Sequence, residues 1–132
     1  MGGRSCGTST RCRDGNRLLR SDGTDRLHFH DLADFTETGS VSVIRDGVPV
    51  SGLNELEVDG QVWANIRPTD QIVRIDPAGG VVNAVVDATG LLGRPRSNHQ
   101  VLNGIAHVDG PEFVLTGKCW PSMFRVRLDP VP

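Results

Sequence analysis

One segment of this chain occurs twice, and neither copy could bury both of its own faces. Leu53-Asn54-Glu55-Leu56-Glu57-Val58-Asp59-Gly60-Gln61-Val62-Trp63 is echoed by Leu102-Asn103-Gly104-Ile105-Ala106-His107-Val108-Asp109-Gly110-Pro111-Glu112-Phe113. Leu53 and Leu102 stand 49 positions apart, as do Asn54 and Asn103. Self-similarity at a period of roughly 40–50 residues, carried by strand-like segments, is the mark of β-propeller blades. A unit of that size is a single small sheet, so it must be covered by neighbours.

A third copy lies upstream, where Arg13-Asp14-Gly15-Asn16-Arg17-Leu18-Leu19 parallels Val58-Asp59-Gly60-Gln61-Val62-Trp63-Ala64. Each copy continues into a further strand that ends on an Asp. Arg26-Leu27-His28-Phe29-His30-Asp31, Gln71-Ile72-Val73-Arg74-Ile75-Asp76 and Phe124-Arg125-Val126-Arg127-Leu128-Asp129 line up. Apolar and polar residues alternate with a period of two, as in half-buried strands. The Asp-Gly and Asp-Pro pairs fall where tight turns belong, because Gly accepts positive φ and Pro cannot continue a central ladder. The predicted class is all-β, a repeated antiparallel sheet covering about two and a half to three blades. The 16 Gly and 8 Pro in 132 residues suit many turns, and no window carries apolar residues at helical spacing.

Charge and patterning exclude some partners. A net charge of −2 without any basic cluster argues against nucleic acid, whose phosphates call for grouped Lys and Arg. No run approaches the ~20 apolar residues of a membrane-spanning helix. Residues 1–16 carry little apolar content, no periodicity and no apolar central stretch of a secretory signal. They are expected to be an unpatterned, disordered leader to a domain over 17–132, and the compartment is left open. The three cysteines show no metal-binding spacing and require no disulfide. His28 and His30 share a strand face, where an exposed polar face is a commoner outcome than a metal pair. Glu55 and Glu57 also share one side of a regular strand, a spacing that invites a proton-transfer role.

The ordered series Leu53-Asn54-Glu55-Leu56-Glu57, Val62-Trp63-Ala64-Asn65, Thr69-Asp70-Gln71-Ile72-Val73-Arg74-Ile75-Asp76-Pro77, Val101-Leu102-Asn103-Gly104-Ile105-Ala106 and Thr116-Gly117-Lys118-Cys119-Trp120-Pro121 resembles the C-terminal half of glutaminyl-peptide cyclotransferases of the plant and bacterial type, also called glutamine cyclotransferases. The resemblance runs from about Arg17 to Leu128. It implies a five-bladed propeller and cyclisation of an N-terminal glutamine to pyroglutamate with release of ammonia. The α-amine attacks the side-chain amide carbon, which requires positioning, proton transfer and oxyanion stabilisation. The family type implies no metal and no cofactor, and its relatives are often secreted or periplasmic.

Carried over by motif, Asn54 matches a substrate-binding Asn, whose amide offers both donor and acceptor. Lys118 matches a pocket Lys able to steady a carboxylate or oxyanion. Trp63, Trp120 and Asn103 join them as pocket candidates, although Trp63 reads first as packing between blades. Asn65 and Asn103 could line a central channel or satisfy buried backbone. The resemblance places the proton-shuttling Glu upstream of this chain, so neither Glu55 nor Glu57 takes that role. Arg67 stands where the family carries an aromatic pocket wall. The reading is therefore a truncated family member, inactive if nothing replaces the missing Glu. The alternative is a non-catalytic propeller fragment that binds a peptide or partner, with self-association through open blade edges. The segment Ala88 to Gln100 is expected to be a variable insert.

Overall fold

A computed structural model describes residues 11–15, 17–91 and 102–128. Strands β1 (Arg11–Asp14), β2 (Arg17–Ser21), β3 (Arg26–Asp31) and β4 (Glu37–Ser42) form one antiparallel meander. A short hairpin, β5 (Ile44–Arg45) and β6 (Val48–Pro49), leads into a second meander. That sheet comprises β7 (Leu53–Val58), β8 (Val62–Ile66), β9 (Gln71–Ile75) and β10 (Val82–Asp87). Strands β11 (Leu102–Asp109), β12 (Glu112–Gly117) and β13 (Phe124–Arg127) make the third. The first strands of the three sheets stand side by side, β1 against β7 and β7 against β11. This is the arrangement of consecutive propeller blades about their inner strands.

The repeat is visible in the turns. Asp14-Gly15, Asp59-Gly60 and Asp109-Gly110 each join the first strand of a sheet to its second, and the glycines adopt φ of 61°, 101° and 53°. Strands β3, β9 and β13 are the three segments aligned by alternation, and each is the third strand of its sheet.

Two cores lie between the sheets. Leu19, Leu27 and Phe29 of the first sheet meet Leu56, Val62 and Ala64 of the second. Trp63 and Ile72 of the second meet Leu102, Ile105, Phe113 and Leu115 of the third. Burial of each large side chain contributes about 1.5–3 kcal/mol. The middle sheet is covered on both faces, so all five residues of β8 are buried. Its sequence is accordingly a near-continuous apolar run rather than an alternating one.

Residues 11–14 belong to the leader expected over 1–16, and they form a strand. Arg11–Asp14 pairs with β2, and Cys12 is 2% exposed and disulfide-bonded. Four residues with one apolar side chain are too few to display an alternation. Residues 1–10 and most of the insert expected over Ala88 to Gln100 lie outside the described residues.

Buried polar side chains pin the sheets to one another. Glu57 in β7 is fully buried, and its Oε2 accepts the His107 N–H of β11 at 2.6 Å. Its Oε1 accepts the Val58 N–H at 3.0 Å and lies 3.7 Å from Cys12 Sγ of β1. Cys12, Glu57 and His107 each sit two residues before the turn Asp of their own sheet. One carboxylate thus touches equivalent positions of three inner strands. This occupies Glu57 structurally.

Candidate functional site

The meanders bring five sequence landmarks to one end of the molecule. The starts of β7 and β11, and the β8–β9 and β12–β13 turns, share that end because the strands alternate in direction. It therefore holds Asn54, Glu55, Arg67, Lys118 and the backbone of Asn103. Backbone bonds fasten the β2–β3 turn to it as well, with Gly23 N–H donating to Leu53 O at 3.1 Å and Gly52 N–H to Gly23 O at 3.1 Å.

Both first strands are irregular at the same landmark. Pairing between β7 and β8 slips between Leu53 and Leu56, and pairing between β11 and β12 slips between Leu102 and Gly104. The extra residues fall at Asn54-Glu55 and at Asn103. A bulge re-aims side chains that a regular ladder would leave in line, and it commonly serves functional positions. The Asn54 bulge is held from two sides. Its carbonyl accepts the Ser21 hydroxyl, and the Glu55 N–H donates to Asn65 Oδ1 at 2.7 Å. Asn65 Nδ2 then donates to Leu102 O at 2.7 Å. Of the two roles the sequence left to Asn65, satisfying buried backbone is the one observed.

Gly52 sets the position of Arg67. Arg67 N–H donates to Gly52 O at 2.8 Å, and a Cβ on Gly52 would lie 2.5 Å from Arg67 O. Only glycine, here at φ 89°, admits that approach. Arg67 is exposed and its charge acts on Glu55.

Glu55 is 9% exposed, and its Oε2 has no hydrogen-bond partner among the described residues. Burial disfavours the charged form and moves the carboxyl from its ordinary 4.5 to about 7, against a smaller opposing pull from Arg67. The folded chain therefore holds a proton that the unfolded chain releases. Stability from this group falls as pH rises from the unfolded value through about 7, and is level above. Wild-type protein is expected to lose more stability than Glu55→Gln between about pH 5 and about pH 8. Urea midpoints at the two pH values check this, and equal losses would place the carboxyl in water.

Lys118 is exposed in the turn that Trp120 N–H closes on Gly117 O at 3.2 Å, with Cys119 at φ 60°. The Trp120 indole lies directly over Gly117, where a Cβ would collide with the ring, and meets Phe124 edge-on at 5.8 Å. Trp120 is thus partly buried and placed beside Lys118. Trp63 is not brought to this end. It is 4% exposed, packs on Phe113 at 4.8 Å, and donates from Nε1 to Asp59 Oδ1 at 2.9 Å near the opposite turns. Its size and polar edge are used between blades. His28 Nε2 lies 2.9 Å from Asp22 Oδ2 on the first sheet.

A glutamine cyclotransferase family model matches residues 10–128. The glutaminyl-peptide cyclotransferase of Arabidopsis thaliana is 37% identical over 121 residues, covering 87% of this chain and 38% of that protein. The crystal structure of Myxococcus xanthus glutaminyl cyclase superposes with a TM-score of 0.85 at 40% identity, over 94% of this chain and 56% of that one. The chain thus spans about two fifths of one relative and just over half of the other. Its blades form part of a β-propeller, and their match in sequence and in three dimensions means that the chain belongs to the glutamine cyclotransferase family.

Proposed function

We propose that this chain forms one side of the pocket of a glutaminyl-peptide cyclotransferase, which converts an N-terminal glutamine to pyroglutamate and releases ammonia. The observation that carries the reading is the pinned bulge at Asn54, set at the same end as the Lys118 turn. Asn54 offers the amide donor and acceptor that a γ-amide substrate needs. The Lys118 ammonium is suited to the oxygen that gains charge as the amine adds to the amide carbon. Trp120 and Asn103 flank that position, one as an apolar wall and the other on the neighbouring bulge. Trp63 contributes through packing. The substrate class is a peptide that begins with Gln.

Ammonia release from glutaminyl-alanine tests the reading. Asn54→Ala and Lys118→Ala are each expected to lower kcat/KM about 10–100-fold, the worth of a hydrogen bond involving a charged or reacting group. Turnover unchanged in both variants would remove the two residues from the pocket. Binding of the dipeptide that depends on Lys118, without ammonia release, would favour a non-catalytic peptide-binding propeller segment.

A further inference from the structure

The proposed pocket leaves Arg67, an exposed cation beside the Asn54 bulge, without a task. Arg67 follows Ile66, the partner of Leu53, and so stands opposite Gly52, two residues before Asn54. Diagonal positions of that kind share a face and lie about 7–8 Å apart in a regular pair. Gly52 has no side chain to cover the arginine. The turn itself is fixed, with Arg67 N–H donating to Gly52 O and Thr69 N–H closing on Ile66 O, both at 2.8 Å. The guanidinium is not tied in this way. Arg17 pairs with Asp14, Arg20 with Glu37 and Arg125 with Glu112, whereas Arg67 has no ion-pair or side-chain hydrogen-bond partner among the described residues. Among the carboxylates of this end, Asp22 accepts from Thr24 and faces His28, Asp25 accepts from Ser42, and Glu55 is buried. A fixed turn thus holds an unpaired guanidinium, whose planar fork matches a carboxylate, out to solvent at the rim.

Cyclisation joins the α-nitrogen of the first residue to Cδ of the same residue. The α-carbonyl and all that follows it take no part in the ring and lead outward from the pocket. The first side chain beyond the reacting residue is therefore that of the second residue. Resting on the proposed function, we propose that Arg67 selects that second residue, so that peptides beginning Gln-Glu or Gln-Asp bind in preference to those with a neutral or basic residue there. An acidic side chain supplies the carboxylate that the guanidinium lacks within the chain. A basic one meets a like charge, which excludes it actively rather than by a missing contact. Lys118, also exposed at this end, adds to the same positive field while serving the reacting oxygen. Rim charges of this kind set preference more than overall affinity.

The test titrates the whole chain calorimetrically with three tripeptide amides, methionine sulfoxide–X–alanine, in which X is Glu, Gln or Lys. The sulfoxide oxygen stands in for the γ-amide oxygen and gives the amine no carbon to attack, so binding is read without turnover. At about 20 mM salt the Glu probe is expected to bind about fivefold more tightly than the Gln probe, and the Lys probe more weakly than either. The spread should shrink toward equality at about 0.5 M salt, where exposed charges are screened. Arg67→Gln should bring the Glu and Gln probes together, and Arg67→Lys should keep part of their difference. Arg67→Glu should reverse the order in favour of Lys. The turn is bonded through the Arg67 backbone, so these exchanges leave its bonds in place. Lys118→Ala should weaken all three probes alike. An order that survives in Arg67→Glu overturns the assignment. So does an equal loss for all three probes in Arg67→Gln, which would put the guanidinium on the peptide backbone instead. Equal binding of the three probes to the wild type, still weakened by Lys118→Ala, overturns Arg67 while the pocket reading stands. No binding of any probe removes both.

Discussion

An Asn65→Leu chain is expected to lose about 2–5 kcal/mol of folding stability, read as a lower urea midpoint at unchanged slope. Asn65 is fully buried in β8, and its amide answers two backbone groups. Leucine keeps the number of side-chain heavy atoms and the branch at Cγ, so the site between the sheets stays filled and no cavity is opened. What is lost is the partner of the Glu55 N–H and the partner of the Leu102 carbonyl. Each buried backbone group left unpaired costs about 1–3 kcal/mol. The substitution also frees the bulge that positions Asn54, so dipeptide binding should fall with stability. Asn65→Asp separates the two bonds, because its carboxylate can still accept from Glu55 but cannot donate to Leu102. A stability within about 0.5 kcal/mol of wild type for Asn65→Leu would mean that the second and third sheets are not joined there.

The features legible in the sequence are those whose chemistry is local. Asp14-Gly15, Asp59-Gly60 and Asp109-Gly110 announce turns because a positive φ is a property of the glycine itself, and the turns fall there. The alternation in β3 rests on neighbours two residues apart and is likewise readable, whereas β9, covered on both faces, buries Ile72 and Val73 in succession. Trp63 was not settled in this way. A large aromatic with a polar edge suits a pocket rim or a core, and only the contacts with Phe113 and Asp59 distinguish them. Asn65 was equally ambiguous, since an amide facing a channel and an amide facing orphan backbone are the same residue in a string. The bulges escaped altogether, because a slipped pairing belongs to two strands at once. Glu55 shows the consequence. Its spacing from Glu57 put both carboxylates on one side, but burial and partners differ between them for reasons of the fold. The family pattern pointed away from Glu55.

Truncation of Phe113 to alanine should cost about 3–5 kcal/mol, near the upper end for any single residue of this chain. Phe113 is fully buried in β12, with its ring 4.8 Å from that of Trp63 and 5.1 Å from that of His107. It fills the centre of the core between the second and third sheets, where Leu102, Ile105 and Leu115 converge. None of those neighbours can close the space, because each is anchored in a paired strand. The loss therefore combines transfer of the ring with a residual cavity. A matching truncation at Val85, which is 36% exposed, should stay within about 0.5 kcal/mol of wild type. The two tryptophans sharpen the measurement. Trp63 reports the core between the sheets and Trp120 reports the far turn of the third sheet. If the Phe113 core is what holds that sheet in place, Phe113→Ala should make both emissions shift in one transition at a lower urea concentration. A loss below about 1 kcal/mol would instead assign the docking of the third sheet to the polar pins at Glu57 and Asn65.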